Sequence, residues 1–145
     1  EIPPEIGDLA NLEILILYDN VLEMEIPPEL DNLTNLYNLD LGDNLLTGNI
    51  PLELFELIGL GVMYLDYNYL SGEIPAEIGD LINLENLYLD NNELNGQIPE
   101  TICNIYESLY SFSIFNNQLC PPYPECNGAV ITSEDEQDTS DCYTF

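Results

Sequence analysis

The sequence predicts a solenoid of about five stacked coils, each contributing one short parallel strand. The dipeptide Ile-Pro recurs at one constant interval, and a leucine and asparagine pattern recurs between its copies in the same phase. Four cysteines lie in the last third of the chain, where the repeats end. A fixed period of about 20 to 50 residues is typical of repeats that bury their apolar faces against their neighbours. The 145 residues therefore fit a single repeat domain.

The repeats can be followed residue by residue. The Ile-Pro pairs begin at Ile2, Ile26, Ile50, Ile74 and Ile98. The second pattern occupies Leu12, Leu15, Leu17, Asn20 and Leu22; Leu36, Leu39, Leu41, Asn44 and Leu46; Leu60, Met63, Leu65, Asn68 and Leu70; Leu84, Leu87, Leu89, Asn92 and Leu94; and Leu109, Phe112, Ile114, Asn117 and Leu119. The fifth copy comes one residue late, which indicates an insertion within residues 105–108.

Each copy contains the alternation of a strand with one buried face. Leu15 and Leu17 alternate with Ile14, Ile16 and Tyr18. The expected strands are 14–18, 38–42, 62–66, 86–90 and 111–115. An asparagine follows each strand, where its side-chain amide can bond the turn backbone in a stacked ladder, so we interpret these asparagines as structural.

The repeat LxxLxLxxNxLxGxIPxxIGxL resembles the plant-type leucine-rich repeat of polygalacturonase-inhibiting proteins, receptor-kinase ectodomains and secreted bacterial proteins. The resemblance covers residues 1–119 as five repeats and leaves 120–145 as a C-terminal cap with an acidic tail. It implies a right-handed solenoid with parallel strands on the concave face and 3₁₀ or irregular turns on the convex face. Gly48, Gly72 and Gly96 suit positive φ, whereas Met24 occupies the matching position in the first coil, whose turn is expected to deviate.

The two ends of the repeat array differ. The segment from Cys120 to Cys126, rich in proline, and the acidic run that follows resemble the C-terminal ends of secreted bacterial leucine-rich repeat proteins. No cysteine-bearing cap precedes the first coil, so Ile2, Ile6 and Leu9 are expected to face an open end. An exposed apolar end predicts contact with another copy or with a further part of the same polypeptide.

Four cysteines suggest two disulfides and an oxidising compartment. The position one repeat and one inserted residue after Cys103 is 128, close to Cys126. This spacing favours the disulfide Cys103–Cys126, which leaves Cys120 to pair with Cys142. The local pair Cys120–Cys126 is the rival. A zinc site is disfavoured because the spacing is not that of a zinc finger and the chain has no histidine.

The charge balance excludes several functions. The chain has 28 Asp and Glu residues, no Lys, Arg or His, and a net charge of −28. Nucleic acids and anionic membrane surfaces are excluded as partners because both are held by Lys and Arg, and no apolar run is long enough for membrane insertion. Catalysis would depend on paired carboxylates in an apolar pocket, which an open sheet does not provide, so we expect no enzyme. Self-repulsion predicts a need for salt, divalent cations or a cationic partner.

The outward positions of the strands carry the functional hypothesis. They are rich in tyrosine and aspartate, and tyrosine combines a large contact area with a hydrogen-bonding hydroxyl. The alternative is that these are ordinary solvated strand residues. The candidate partner-binding residues are Tyr18, Asp19, Tyr37, Asp40, Asp43, Tyr64, Asp66, Tyr67, Tyr88, Asp90 and Phe115.

A column of glutamates on the convex side is a weaker candidate. Glu5, Glu29, Glu53 and Glu77 share one repeat position, so stacking would align their charges and could attract Ca²⁺. A solvated column is the default interpretation, and no dedicated calcium-loop motif is present.

The sequence therefore favours an extracellular or cell-surface recognition module that binds a neutral or cationic protein or glycan through its concave face. The alternative is a structural protein that assembles with further copies of itself through its first coil. Ice binding, known for similar repeat proteins, is disfavoured because no face carries a regular Thr or Ser row. Asn32 lies in an N-glycosylation sequon, which matters only in a eukaryotic source and is explained equally well by chance.

Overall fold

Each coil contributes one strand to each of two parallel sheets in the computed structural model, which describes residues 1–142. The first sheet has the order β1-β3-β5-β7-β9, and its strands are Ile14–Ile16, Asn38–Asp40, Val62–Tyr64, Asn86–Tyr88 and Ser111–Ser113. The second sheet has the order β2-β4-β6-β8-β10, and its strands are, in that order, Glu23–Met24, Leu45–Asn49, Tyr69–Glu73, Glu93–Gln97 and Gln118–Cys120. The fold is thus the expected solenoid, with first-sheet strands that end sooner than predicted.

The coils stack in the register that the repeat predicts. Leu15 pairs with Leu39, Leu39 with Met63 and Met63 with Leu87, so each step along the sheet is one full repeat. These side chains are buried in one continuous core between the two sheets and the convex turns. Short 3₁₀ turns close the coils at Pro4–Asp8, Pro28–Asn32, Leu52–Glu56, Ala76–Asp80 and Glu100–Ile102.

The asparagine after each strand forms the expected ladder. Asn68 Nδ2 donates to the carbonyl oxygens of Leu41, Leu65 and Asp66, at 3.0, 3.2 and 3.1 Å. Its Oδ1 accepts the backbone N–H of Leu46 at 3.0 Å. Each buried asparagine thereby satisfies backbone groups of its own coil and of the preceding one, at positions where the hydrogen bonds between strands do not extend.

The second sheet was not expected from the sequence, which indicated only irregular or 3₁₀ structure on the convex side. Gly48, Gly72 and Gly96 adopt φ of 77°, 78° and 74° within its strands. Met24 adopts φ of 76° at the same position, so the backbone there follows the other coils, whereas β2 spans two residues and β4 spans five. Stacking on the next coil holds a methionine in a conformation that ordinarily favours glycine.

Replacing Met24 with glycine should therefore raise the free energy of unfolding by about 1 kcal/mol, because glycine removes the cost of a positive φ. Met24 is 60% exposed, so little packing is lost. Urea titrations monitored by circular dichroism provide the measurement. Met24→Ala is the matched control: it trims the same side chain but keeps the strained backbone, and it should not stabilise. Equal stabilisation by both variants would refute this explanation.

The inserted residue and the cysteines lie where the repeat changes. A short helix, α1 (Cys103–Tyr106), follows the last convex turn and accommodates the insertion. Disulfides join Cys103 to Cys126 and Cys120 to Cys142, the pairs that the repeat spacing favoured over Cys120–Cys126. A two-stranded antiparallel hairpin, β11 (Glu125–Cys126) and β12 (Ala129–Val130), lies in the segment between Cys120 and Cys142.

The acidic tail closes the C-terminal end of the stack. The Asn116 N–H donates to the Glu136 carbonyl, and the Asp138 N–H donates to the Asn117 carbonyl, both at 2.7 Å. Gln137 is buried and donates from Nε2 to the Ile114 carbonyl at 3.1 Å. The tail therefore occupies the place of a sixth coil. Residues 143–145 of the expected cap lie outside the described residues.

The first coil is less well covered than the others. Leu12, Leu17 and Leu22 are half-buried, whereas their equivalents in the second coil are fully buried. Leu9 is 53% exposed, in line with the expected open end, and Ile6 is half-buried. The expectation for Ile2 is wrong, since its side chain is buried within the core and only 3% exposed. Within residues 1–142, no helix has the length and apolar character needed to cross a membrane.

Candidate functional site

The outward side chains of the first sheet form a continuous surface, which we name the Tyr/Asp face. Most of the predicted contact residues are accessible on it. Those that are exposed are Tyr18, Asp19, Tyr37, Asp43, Tyr67 and Phe115, and those that are half-buried are Asp40, Tyr64, Asp66 and Tyr88. Asp90 is the exception, because its side chain is 5% exposed and its Oδ2 accepts a 2.6 Å hydrogen bond from Asn91 Nδ2. Asp90 is therefore buried beneath the face, where it bonds Asn91, and is not a contact residue.

The strand register aligns Asp40, Tyr64 and Tyr88 along the middle of this face. The Tyr64 and Tyr88 rings are stacked, with centroids 4.8 Å apart and planes inclined by 28°. Stacked aromatic rings restrict each other's rotamers, so their contact area is already ordered before a ligand arrives. The stacked pair provides a fixed apolar patch at the centre of the face.

Three side chains from three consecutive coils converge beside this patch, on Gly42. The repeat places Tyr18, Gly42 and Asp66 at equivalent positions, one coil apart from each other. A Cβ on Gly42 would lie 3.1 Å from Asp66 Oδ1, 3.3 Å from Asp40 Oδ1 and 3.3 Å from Tyr18 Cδ2. The Gly42 N–H also donates to Asp40 Oδ1 at 3.1 Å. The missing side chain of Gly42 thus lets an aromatic ring and two carboxylates approach one another.

The same arrangement recurs on the other border of the face. Tyr37, Gly61 and Glu85 again share one repeat position in three consecutive coils, and a Cβ on Gly61 would overlap the Tyr37 ring. The Tyr37 hydroxyl donates to Glu85 Oε2 at 3.2 Å, and this hydrogen bond raises the pKa of Tyr37. Tyr110 occupies the same column and is 84% exposed. The repeat register predicts Gly42, Gly61, Glu85 and Tyr110 among the outward positions of the strands, but residue type did not select them as contact residues.

Partial burial among like charges sets the electrostatics of the face. Burial raises the pKa of Asp66 to about 6, and the neighbouring charges of Asp90, Asp40 and Asp43 add to the shift. The negative charge of Asp43, with smaller effects of burial, Asp19, Asp66 and Asp40, raises the pKa of Tyr18. Burial is also the main cause of the raised pKa of Tyr64. The face therefore concentrates negative charge that no basic side chain of this protein can offset.

Replacing Asp66 with asparagine should stabilise the fold at neutral pH and not at low pH. Because the folded-state pKa of Asp66 is raised to about 6, its favourable contribution is present below the unfolded-state pKa and is lost as pH rises through about 6. After allowance for solvent screening, we expect a gain of about 1 kcal/mol at pH 7 and none at pH 3.5. Urea unfolding of both proteins across this range is the measurement. An equal gain at both pH values would contradict the raised pKa.

The convex glutamates lie apart from any cluster of metal-ligating side chains. Glu5, Glu29, Glu53 and Glu77 are exposed on the 3₁₀ turns. Among residues 1–142, no group of three or more His, Cys, Asp or Glu is arranged to hold a metal ion. The geometry of this column therefore gives the weak Ca²⁺ prediction no support.

A shallow groove of about 750 Å³ lies elsewhere, along the junction of the second sheet and the convex turns. It is lined by apolar residues such as Pro51, Pro75 and Pro99 and by the side chains of Asn49 and Gln97. It contains none of the tyrosines of the Tyr/Asp face, so the two surfaces can be distinguished experimentally.

Two family models of leucine-rich repeats match this chain, one over residues 34–94 and the other over residues 11–33. A comparison with curated proteins gave no significant match.

Solved structures of plant proteins are similar over most of the chain. The Arabidopsis receptor kinase HAESA, in complex with the peptide hormone IDA and the co-receptor SERK1, is 36% identical over 86% of this chain, with a TM-score of 0.81. The ectodomain of the receptor kinase SOBIR1 from Arabidopsis thaliana is 36% identical over 85%, with a TM-score of 0.78. A plant ice-binding protein is 35% identical over 87%, with a TM-score of 0.81. The chain spans 21%, 66% and 41% of these three proteins, respectively.

Proposed function

This chain belongs to the plant-type leucine-rich repeat family, and on that premise we propose that it is an extracellular recognition module that binds a protein or peptide through the Tyr/Asp face. The observation that carries the proposal is the stacked Tyr64–Tyr88 pair, which shares its face with several exposed aromatic side chains. Aromatic side chains are enriched among the residues that contribute most to binding energy.

Different residues of each repeat build the scaffold and form the exposed face, and this separation supports the proposed function. The leucines are buried in the core, and the asparagines bond the backbone, so both are committed to the scaffold. The Tyr/Asp face has no comparable structural task, since most of its side chains point into solvent. Tyrosine is well suited to a recognition surface because it orders few rotatable bonds for a large contact area.

The similar structures support a protein or peptide as the class of partner. HAESA was solved with a peptide hormone and a co-receptor, and SOBIR1 was solved as an ectodomain. Two disulfides fit an oxidising, extracellular location. Similarity to an ice-binding protein concerns the scaffold, whereas the bulky and charged side chains of the Tyr/Asp face differ from a regular hydroxyl row. A glycan is the alternative class of ligand.

The test is selection of ligands from displayed random peptides and from a glycan array, followed by affinity measurements with surface variants. The face variant combines Tyr64→Ala, Tyr88→Ala and Tyr67→Asn. Asparagine is chosen at position 67 because Asn91 adopts the same positive φ at the equivalent position. The matched control combines Leu52→Ala, Ile58→Ala and Ile82→Ala, which trims three exposed apolar side chains on the convex side.

We expect selected peptides to lose at least about tenfold in affinity with the face variant and to bind the control normally. Both variants should melt close to the parent protein because the substituted side chains lie outside the core. Peptides that bind both variants normally would refute recognition by the Tyr/Asp face. Selection of glycans alone would show that the ligand is a glycan and not a peptide.

Assembly through the first coil is a second candidate function. Its supporting observation is the half-buried Leu12, Leu17 and Leu22, together with the unpaired outer edges of β1 and β2 among the described residues. Exposed strand edges beside apolar surface promote association. Sedimentation over a range of concentrations tests it: dimers that dissociate on Leu9→Asp substitution would support assembly, and a monomer throughout would exclude it.

A further inference from the structure

The convex turn of the second coil carries the single N-glycosylation sequon of the full sequence, Asn32-Leu33-Thr34. Asn32 is the last residue of the 3₁₀ turn Pro28–Asn32, and Asn32 and Thr34 are both exposed. Leu33 lies between them and is fully buried, so it anchors the backbone in the core while its two neighbours remain on the surface. A sequon in a secreted protein acts as an acceptor when it lies in such a surface segment.

The repeat itself does not require the threonine of this sequon. The other four coils carry exposed polar residues at the position of Asn32: Asp8, Glu56, Asp80 and Asn104. Their residues at the position of Thr34 lack an aliphatic hydroxyl: Ala10, Ile58, Ile82 and Tyr106. Among residues 1–142, the Thr34 hydroxyl has no hydrogen-bonding partner. The hydroxyl that completes the sequon therefore has no structural task in the fold.

We propose that Asn32 carries an N-linked glycan in the secreted protein. The donor is an oligosaccharide linked through pyrophosphate to a lipid. Asn32 Nδ2 attacks the anomeric carbon of the first sugar, the bond from that carbon to the pyrophosphate oxygen breaks, and the lipid pyrophosphate leaves while Nδ2 loses one proton. Nδ2 has two hydrogens, so the one that remains can still donate to the Glu29 carbonyl, 3.2 Å away. The linkage is therefore compatible with the folded turn.

The location of the protein and of the turn supports this modification. The two disulfides fit passage through an oxidising compartment, and the similar HAESA and SOBIR1 structures come from a plant, whose secretory pathway attaches such glycans. The turn Pro28–Asn32 lies on the convex side, away from the concave Tyr/Asp face. A glycan on Asn32 would therefore leave the proposed recognition surface uncovered, and the modification does not depend on that function.

The test is to secrete the whole chain from cultured plant cells behind a cleavable signal peptide and to measure its intact mass. A Glu-specific protease generates the peptides, because the chain has no Lys or Arg for trypsin. Enzymatic release of the glycan in heavy-oxygen water converts the modified asparagine to labelled aspartate and so identifies it. We expect one glycan on most molecules, attached at Asn32. Asn104 is the internal control, since it is exposed at the equivalent position without a sequon and should remain unmodified.

Three variants test the role of the hydroxyl. Thr34→Ala should lose the glycan mass, and the fold should tolerate it because Ala10 occupies the same position in the first coil. Thr34→Ser keeps a hydroxyl and should retain the glycan. Thr47→Ala is the matched control, since it removes an exposed threonine outside the sequon and should also retain the glycan. Melting curves of the secreted variants establish that each is folded.

Two results would overturn the glycosylation site. The first is folded, secreted protein in which Asn32 is unmodified in most molecules. The second is a glycan that persists in Thr34→Ala, because the modification would then lie at another residue. Either result would leave recognition by the Tyr/Asp face untouched, since Asn32 lies outside that face and peptide binding is measured separately.

Discussion

Replacement of Asn68 by alanine should lower the free energy of unfolding by about 3 to 5 kcal/mol, the largest effect expected of a single substitution in this protein. The side chain is buried and bonds four backbone groups in two coils. Alanine would leave the Leu46 N–H and the carbonyl oxygens of Leu41, Leu65 and Asp66 without this partner, and water cannot enter a packed core without cost.

Asn20→Ala is the matched control for this prediction. Asn20 is exposed and bonds only the carbonyl oxygens of Leu17 and Tyr18, so its loss should cost about 1 kcal/mol or less. Urea unfolding of the two variants gives the comparison. Similar losses at both positions would show that the ladder does not join the coils in the way described.

Raising the salt concentration from about 10 mM to about 1 M NaCl should raise the melting temperature by about 10 °C. With a net charge of −28 and no basic side chain, the side-chain charges repel one another, and salt screens that repulsion. Differential scanning calorimetry in NaCl and KCl at equal ionic strength provides the measurement. A matched series in sucrose, which stabilises folded proteins without screening charge, is the control.

Screening predicts that NaCl and KCl act alike and that most of the increase occurs below about 0.3 M, where the Debye length shortens fastest. A melting temperature that does not change with salt would contradict the prediction. A rise only at molar concentrations would also contradict it, because that behaviour is typical of preferential exclusion from the surface.

The repeat period made most of the fold predictable. Each coil contacts only its neighbours, so one constant spacing determines that Leu39 stacks on Leu15 and Met63 on Leu39. The same spacing, with the inserted residue, placed Cys103 near Cys126. The second sheet was less predictable, because Leu45–Asn49 contains a glycine at positive φ and lacks the alternation of a half-buried strand. Its pairing arises from stacking and not from local preference.

The candidate site was predictable in outline and not in detail. Period-two alternation identified the outward positions, and Tyr64 and Tyr88 were among them. Burial of Asp90 depends on Asn91 and on the adjoining coils, which residue type alone does not reveal. The approach of Tyr18, Asp40 and Asp66 around Gly42 depends on side-chain directions in three coils, and these become visible only in three dimensions.

Recognition of a ligand through the Tyr/Asp face can be tested by mapping the binding of a selected peptide with two-dimensional NMR. We expect chemical-shift changes and intermolecular contacts at Tyr18, Tyr64 and Tyr88, with few changes on the convex turns. Contacts confined to the groove beside Pro51, Pro75 and Pro99, or to the first coil around Leu9, would contradict it.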